Sequence, residues 1–413
     1  MTQSAPQFPH GEIHPSRGEK TVLLKALGLV AAGCAAVALT VSVPQSLLYL
    51  TGAALGLTLY HASFGFTSSY RVLMADGRSA GIRAQMVMLA LVCLLFYPVL
   101  AAGTLFGSPV SGFVAPAGTS VVVGAFVFGI GMQLGGACAS GTLFTAGGGN
   151  VRMCLTLLFF IAGSVFGLEH LPWWEAQPSL PAISMVTALG WPGALAANLA
   201  IFAAIWIGVS QIERKRHGKL ETIWTHQAAS SLPKGFYTLL RGPWPIAAGA
   251  LALAILNFAT LYQAGRPWGI TSAFPLWGAK VMALLGVDMG QWQSWSSASQ
   301  QNALAAPVLA DITSAMNFGI ILGAMAAAIL ARRFNPSWRV PPGQIAASVI
   351  GGLMLGYGAR LAYGCNIGAF FSGLASGSLH GWLWILCAIP GNLAGMYLRP
   401  LFGMQVEWRK SAC

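Results

Sequence analysis

Long apolar runs alternate along the chain with short polar connectors. Ten runs are long enough to cross a membrane, at 22–43, 46–62, 84–105, 119–136, 153–168, 183–210, 243–262, 308–330, 344–362 and 380–402. A spanning helix needs about 20 apolar residues, and lipid cannot satisfy the backbone of anything less regular. The pattern predicts an all-α polytopic membrane protein with about ten transmembrane helices.

Composition narrows this further. Of 413 residues only 8% are charged, against about 25% in a soluble domain. That excludes an ordinary cytosolic enzyme, a disordered chain and a disulfide-knit secreted domain. The net charge of +12 is not a nucleic-acid signature, because the cations fall in clusters between apolar runs. With residue 1 inside, the basic connectors 70–83, 211–242 and 331–342 fall inside, as does the C-terminal Glu-Trp-Arg-Lys. Segments 106–118 and 169–182 fall outside and carry no Lys or Arg. This is the positive-inside bias, and it puts both termini in the cytoplasm. The first apolar run is of full span length, so it reads as a span rather than a cleavable signal peptide. The predicted organisation is a disordered cytoplasmic tail (1–20), a first membrane repeat (21–210), a basic cytoplasmic loop (211–242), a second membrane repeat (243–403) and a cytoplasmic tail (404–413). The basic loop fits a topology anchor beside anionic headgroups, or a partner-docking site.

The word repeat rests on two motif pairs. Residues 129–144 (GIGMQLGGACASGTLF) align without a gap on 356–371 (GYGARLAYGCNIGAFF), matching Cys138 with Cys365 and Gly141 with Gly368. Upstream, 64–70 (FGFTSSY) pairs with 268–274 (WGITSAF). The spans before the paired motifs run in opposite directions. The fold class is therefore predicted as two inverted-topology repeats of five spans each, an arrangement that places a transport site at the repeat interface.

The glycines around each cysteine disfavour continuous helix, since each costs about 1 kcal/mol relative to Ala. GGACASG and YGCNIG read as helix breaks, with short re-entrant half-helices at 142–150 and 369–379. Segments 67–75 and 271–286 read as two more, with Thr67 and Thr271 as N-caps. Half-helix N-termini offer free N–H groups to an anion. Candidate binding residues are Cys138, Cys365, Gly136, Gly141, Gly364, Gly368, Thr67, Ser68, Thr271, Ser272 and Arg360. Thiols are soft, weak donors that suit a sulfur-bearing anion better than a hard one. The competing reading is close helix packing through small residues. Arg360, with Gln133 in its place in the first half, either attracts an anion or bonds backbone carbonyls. Cys34, Cys93, Cys154 and Cys387 read as small core residues, and Cys413 as a free terminal thiol. There is no P-loop, GxSxG, HExxH or carboxylate cluster, so no enzyme, cofactor or metal is predicted.

These motifs, above all the stretch 358–373 (GARLAYGCNIGAFFSG), resemble those of the YeeE/YedE membrane proteins over roughly 45–403. The resemblance implies a bacterial inner-membrane protein with re-entrant helices. It implies uptake of thiosulfate or a similar small sulfur-containing anion, a small cytoplasmic sulfur-carrier protein as partner, and Cys138 and Cys365 touching the passing ion. It leaves two alternatives, selenium-compound transport and an intramembrane thiol-based sulfurtransferase or redox enzyme. One departure stands out. Family members often carry a third cysteine just before the Thr-Ser half-helix, where this chain has Gly65, with Gly269 at the symmetric place.

Overall fold

A computed structural model describes residues 17–224, 241–336, 338–406 and 408. Most of the tail predicted over 1–20, the middle of the loop 211–242 and most of the C-terminal tail lie outside the described residues. The chain is helical nearly throughout. In order the helices are α1 (Arg17–Thr40), α2 (Val43–His61), α3 (Phe66–Asp76), α4 (Ala80–Ala102), α5 (Thr119–Gly135), α6 (Ala139–Gly147), α7 (Val151–Glu175), α8 (Met185–His217), α9 (Ile246–Ala264), α10 (Ala273–Leu284), α11 (Ala298–Ala305), α12 (Ile312–Leu330), α13 (Pro342–Leu361) and α14 (Leu379–Leu398). Between α13 and α14 lie a π-helical segment, Asn366–Ser372, and the turn Gly373–Ala375. Among the described residues, sheet is confined to two antiparallel pairs of two-residue strands.

Ten helical segments among the described residues are long and apolar enough to cross a membrane. They contain α1, α2, α4, α5, α7, α8, α9, α12, α13 and α14. The ends differ most from expectation at two places. The run predicted over 153–168 is a 25-residue helix that continues through Pro172. The first residues assigned to the basic loop instead prolong α8 as far as His217. By contrast α3, α6, α10 and the π segment hold 11, 9, 12 and 7 residues. At about 1.5 Å rise per residue none reaches across a hydrocarbon layer about 30 Å thick.

Small residues let the spans touch backbone to backbone. A Cβ added to Gly52 or Gly56 of α2 would fall on the Met316 or Ile320 carbonyl of α12, and one on Gly319 or Gly323 of α12 on the Tyr49 or Ala53 carbonyl of α2. Gly351 and Gly358 of α13 meet Gly135 and Gly124 in the same way, and Gly391 of α14 meets Phe126 of α5. In lipid, where the solvent is as apolar as the side chains, such close approach is what holds helices together.

Contacts sort the connectors onto two faces. On one, His217 Nε2 meets the Asp76 carbonyl, Arg78 lies 3.7 Å from Glu221, and Gly149 packs on Phe334. This face carries Arg214, Lys215, Arg216, Lys219, Arg332, Arg333 and Arg339 and is termed the basic face below. On the opposite face Tyr363 meets Glu175, and Ser294 meets the Leu168 carbonyl.

Candidate functional site

Both motif cysteines cap short helices. Gly136, at φ +93°, ends α5; Cys138 is the N-cap of α6. Gly364, at φ +151°, precedes Cys365, the N-cap of the π segment. Both glycines occupy backbone conformations that a side chain would strain. The half-helices therefore start at Ala139 and Asn366, earlier than the sequence-based starts at 142 and 369. Both thiols are buried, at 1% and 0% exposure. Each works locally: Cys138 Sγ lies 3.3 Å from Ser140 Oγ, and Cys365 Sγ accepts from the Ile367 amide at 3.4 Å. The two short segments pack against each other. Each cysteine thus sits at a helix break in the protein interior, and the two segments that they begin are in contact.

The surrounding residues differ in what they offer. A Cβ on Gly141 would lie 3.6 Å from Cys138 Sγ, whereas one on Gly368 would meet nothing within 4 Å. Gly368 therefore borders open space beside the second thiol. Thr67 is not the N-cap of α3; Gly65 is, and the buried hydroxyl of Thr67, the second residue of the helix, has no partner. Likewise Ser272, not Thr271, is the N-cap of α10. Ser68 and Ser272 spend their hydroxyls on the Gly65 carbonyl and on Thr313. Thr271 Oγ1 accepts a 3.0 Å bond from Arg360 Nη2, while Arg360 Nε is buried and unpartnered.

Gln133 entered the sequence reading only as the counterpart of Arg360, and several other participants were not singled out at all. Gln133 Nε2 donates to Asn392 Oδ1 at 2.8 Å and to the Thr67 carbonyl at 3.4 Å, and its Oε1 is unpartnered. Asn366 Nδ2 donates to the Tyr70 hydroxyl at 3.4 Å, and Asn317 Nδ2 to the Ile270 carbonyl at 2.9 Å; both leave Oδ1 unpartnered. Asn257 accepts from the Trp268 amide at 2.8 Å and donates to Ser372 in the π segment at 3.3 Å. Their signal was available: each is a lone carboxamide within or beside an apolar run, where a polar side chain is expensive unless it is used. Of the other cysteines only Cys93 is buried. Cys154 is exposed and Cys34 and Cys387 are intermediate, so the small-core reading holds for one of the four. Cys413 lies outside the described residues.

The site is thus a pair of short helical segments in contact, each capped at its start by a buried thiol. Around it stand one half-buried guanidinium and several buried polar atoms without protein partners. Such atoms are rare unless something else satisfies them.

Comparison with known proteins bears on what that is. The profile of a family described as sulphur transport matches residues 61–394. The probable transporter YedE of Salmonella typhimurium is 34% identical over 171 residues, 40% of this chain and 41% of that protein. In that match the chain thus spans about two fifths of its relative's length. The thiosulfate transporters TsuA of Spirochaeta thermophila and Escherichia coli are 26% and 22% identical. Those matches cover 83% and 85% of this chain and 95% and 94% of the relatives.

Proposed function

This chain belongs to the sulphur transport (YeeE/YedE) family of membrane proteins, and from that premise we propose that it passes thiosulfate or a closely related sulfur-containing anion between Cys138 and Cys365. The observation that carries this reading is the contact, inside the protein, between two short helical segments that each begin at a buried thiol. The N-termini supply partial positive charge to the anion. The thiols supply soft, polarisable contacts for its terminal sulfur. Neither thiol is consumed. Arg360 draws the ion in from the face opposite the basic one, and the open space beside Gly368 lets it pass.

The same reading takes the basic face as cytoplasmic, in a bacterial inner membrane, following the charge bias. Support for two inverted-topology repeats comes from helix partnerships: α1 packs on α12 and α8 on α4, while α7 packs on α13 and α14 on α5. Each pair becomes the other when the two halves are exchanged. In this scheme α8 opens the second repeat, ahead of the boundary at 211–242 expected from sequence. A small sulfur-carrier protein meeting the basic face would take the ion onward.

The test is uptake of sulfur-labelled thiosulfate into proteoliposomes, with wild type beside Cys138→Ser and Cys365→Ser. Serine keeps a hydroxyl donor and loses the soft contact, so uptake falls but stays measurable in each variant. A folded wild type that takes up selenite or sulfite but no thiosulfate would replace the substrate. Serine variants that are wholly dead, with a persulfide found on the wild-type thiols, would replace transport by thiol chemistry.

A further inference from the structure

Beneath the thiol pair, on the basic face, lies a separate cavity of about 480 Å³. Its walls come from the end of α2, the end of α6, the first turn of α7 and the link between α12 and α13. The polar groups on them are Arg152, Arg339, Asn150, Asn335, Gln344, Thr145 and Tyr60, and among the described residues no carboxylate lines it. Two guanidiniums and three carboxamides in one carboxylate-free hollow form a donor-rich surface. Guanidinium and carboxamide groups give directed N–H bonds to oxyanions.

The two arginines are differently held. Arg152 is fixed: its Nε donates to Ser348 Oγ at 3.0 Å and its Nη2 to the Leu134 carbonyl at 2.7 Å. Its guanidinium also reaches the break, since a Cβ on Gly136 would lie 3.5 Å from both of its Nη atoms. Arg339 is exposed and makes no hydrogen bond or ion pair to any described residue. The helix α6 joins the two places, with Cys138 at its start and Phe144, Thr145 and Gly148 of the cavity wall at its end. At nine residues that separation is about 14 Å, too far for one small ion to touch both.

We propose that this cavity is a second anion site, taking a small divalent oxyanion of the sulfate or thiosulfate class. Arg339 is its mobile donor and Arg152 its fixed one. Oxyanion binding stands on the cavity alone. Its role as the station from which a transported ion leaves rests on the reading given above.

The test separates the two. Gln344→Cys is introduced with Cys154→Ser and Cys413→Ser and labelled from the basic face with a membrane-impermeant maleimide. Sodium sulfate slows the labelling, and potassium chloride at matched ionic strength does not. Adding Arg339→Glu raises the half-protecting sulfate concentration about tenfold or more, because a charge-assisted bond becomes a repulsion. Absence of sulfate protection, or protection that Arg339→Glu leaves unchanged, overturns the site. Efflux from loaded proteoliposomes then tests the role. Arg339→Glu raises the half-saturating internal thiosulfate concentration and leaves the external one for uptake within about twofold. Parallel changes on both faces overturn the release role. A wild type that carries no thiosulfate, yet shows sulfate protection, retires the transport reading and leaves the anion site standing.

Discussion

Gln133 and Arg360 stand five residues ahead of Cys138 and Cys365, and each reaches the threonine of a Thr-Ser pair. Gln133 Nε2 lies 3.4 Å from the Thr67 carbonyl oxygen, and Arg360 Nη2 lies 3.0 Å from Thr271 Oγ1. The two contacts are alike in place and unlike in charge. The carboxamide is on the basic-face side, where Arg399 Nη1 donates to the Gln133 carbonyl at 2.8 Å. The guanidinium is on the other side, near the face that carries Glu175. A guanidinium at membrane depth costs about 2.5–3.5 kcal/mol on insertion scales. Anchoring Thr271 does not require it, since Gln133 makes the matching contact without charge. On the function proposed above, the charge serves the anion.

Arg360→Gln makes the two halves alike and tests this directly. The half-saturating thiosulfate concentration for uptake rises about tenfold, the loss of one charge-assisted bond, while the thermal midpoint changes little. Arg360→Lys keeps the charge but loses the fork, and falls between. Uptake kinetics over a range of external thiosulfate read the result. An unchanged half-saturation in Arg360→Gln with lower stability would make Arg360 a structural residue only.

Some glycines face open space and others the backbone of a neighbouring helix. A methyl on Gly368 meets nothing within 4 Å, whereas one on Gly351 falls on the Gly135 amide nitrogen. Gly368→Ala is expected to fold with an unchanged melting temperature and to slow uptake, because the methyl enters the open space beside Cys365. Gly351→Ala is expected to destabilise by about 1–3 kcal/mol or more, the usual effect of overpacking. Parallel thermal unfolding and uptake measurements on the two variants distinguish a passage from a packing void.

Asn257 ties the π segment to the second Thr-Ser motif. Its side chain accepts from the Trp268 amide and donates to Ser372, and Ser372 Oγ donates to the Trp268 carbonyl at 2.6 Å. Asn257→Leu removes both bonds and leaves a buried amide unpaired, a loss of about 1–3 kcal/mol. The predicted signature is a lower thermal midpoint together with faster alkylation of Cys365, since the segment it caps is loosened. Unaltered Cys365 reactivity would mean that Ser372 alone holds the segment.

These residues mark what the sequence could and could not convey. Spans were legible because hydropathy is local, and the cysteine breaks because glycine is a poor helix former at any depth. The helix starts were misplaced because Thr and Ser are ordinary cap residues, and here glycine, serine and cysteine hold the cap positions instead. The carboxamide network joins residues 115 positions apart at Asn257 and Ser372, and 259 apart at Gln133 and Asn392. No local pattern encodes such pairs. The cavity on the basic face escaped for the same reason, since Arg152 and Arg339 come from different halves.

A further long-range polar cluster lies on that face. Glu213, near the end of α8, accepts from the Ser79 amide at 3.0 Å, from the Ser79 hydroxyl and from the Glu221 amide at 2.9 Å. Arg83 lies 3.3 Å from it, with both side chains at most 5% exposed, and stacks over Trp206 at 5.6 Å. This cluster fixes the turn between α3 and α4 to α8, and so holds the far end of the half-helix that begins beside Thr67. Breaking a buried pair from one side costs about 3–5 kcal/mol, because the other charge is stranded. Glu213→Ala should therefore lower the thermal midpoint sharply, and Arg83→Ala should do so as well. The double variant should lose much less than the sum, because neither charge is then left alone. Thermal unfolding of the three variants in one lipid or detergent closes the cycle. Simple additivity would show that Glu213 is held by the Ser79 and Glu221 backbone, with Arg83 a bystander bound to Trp206.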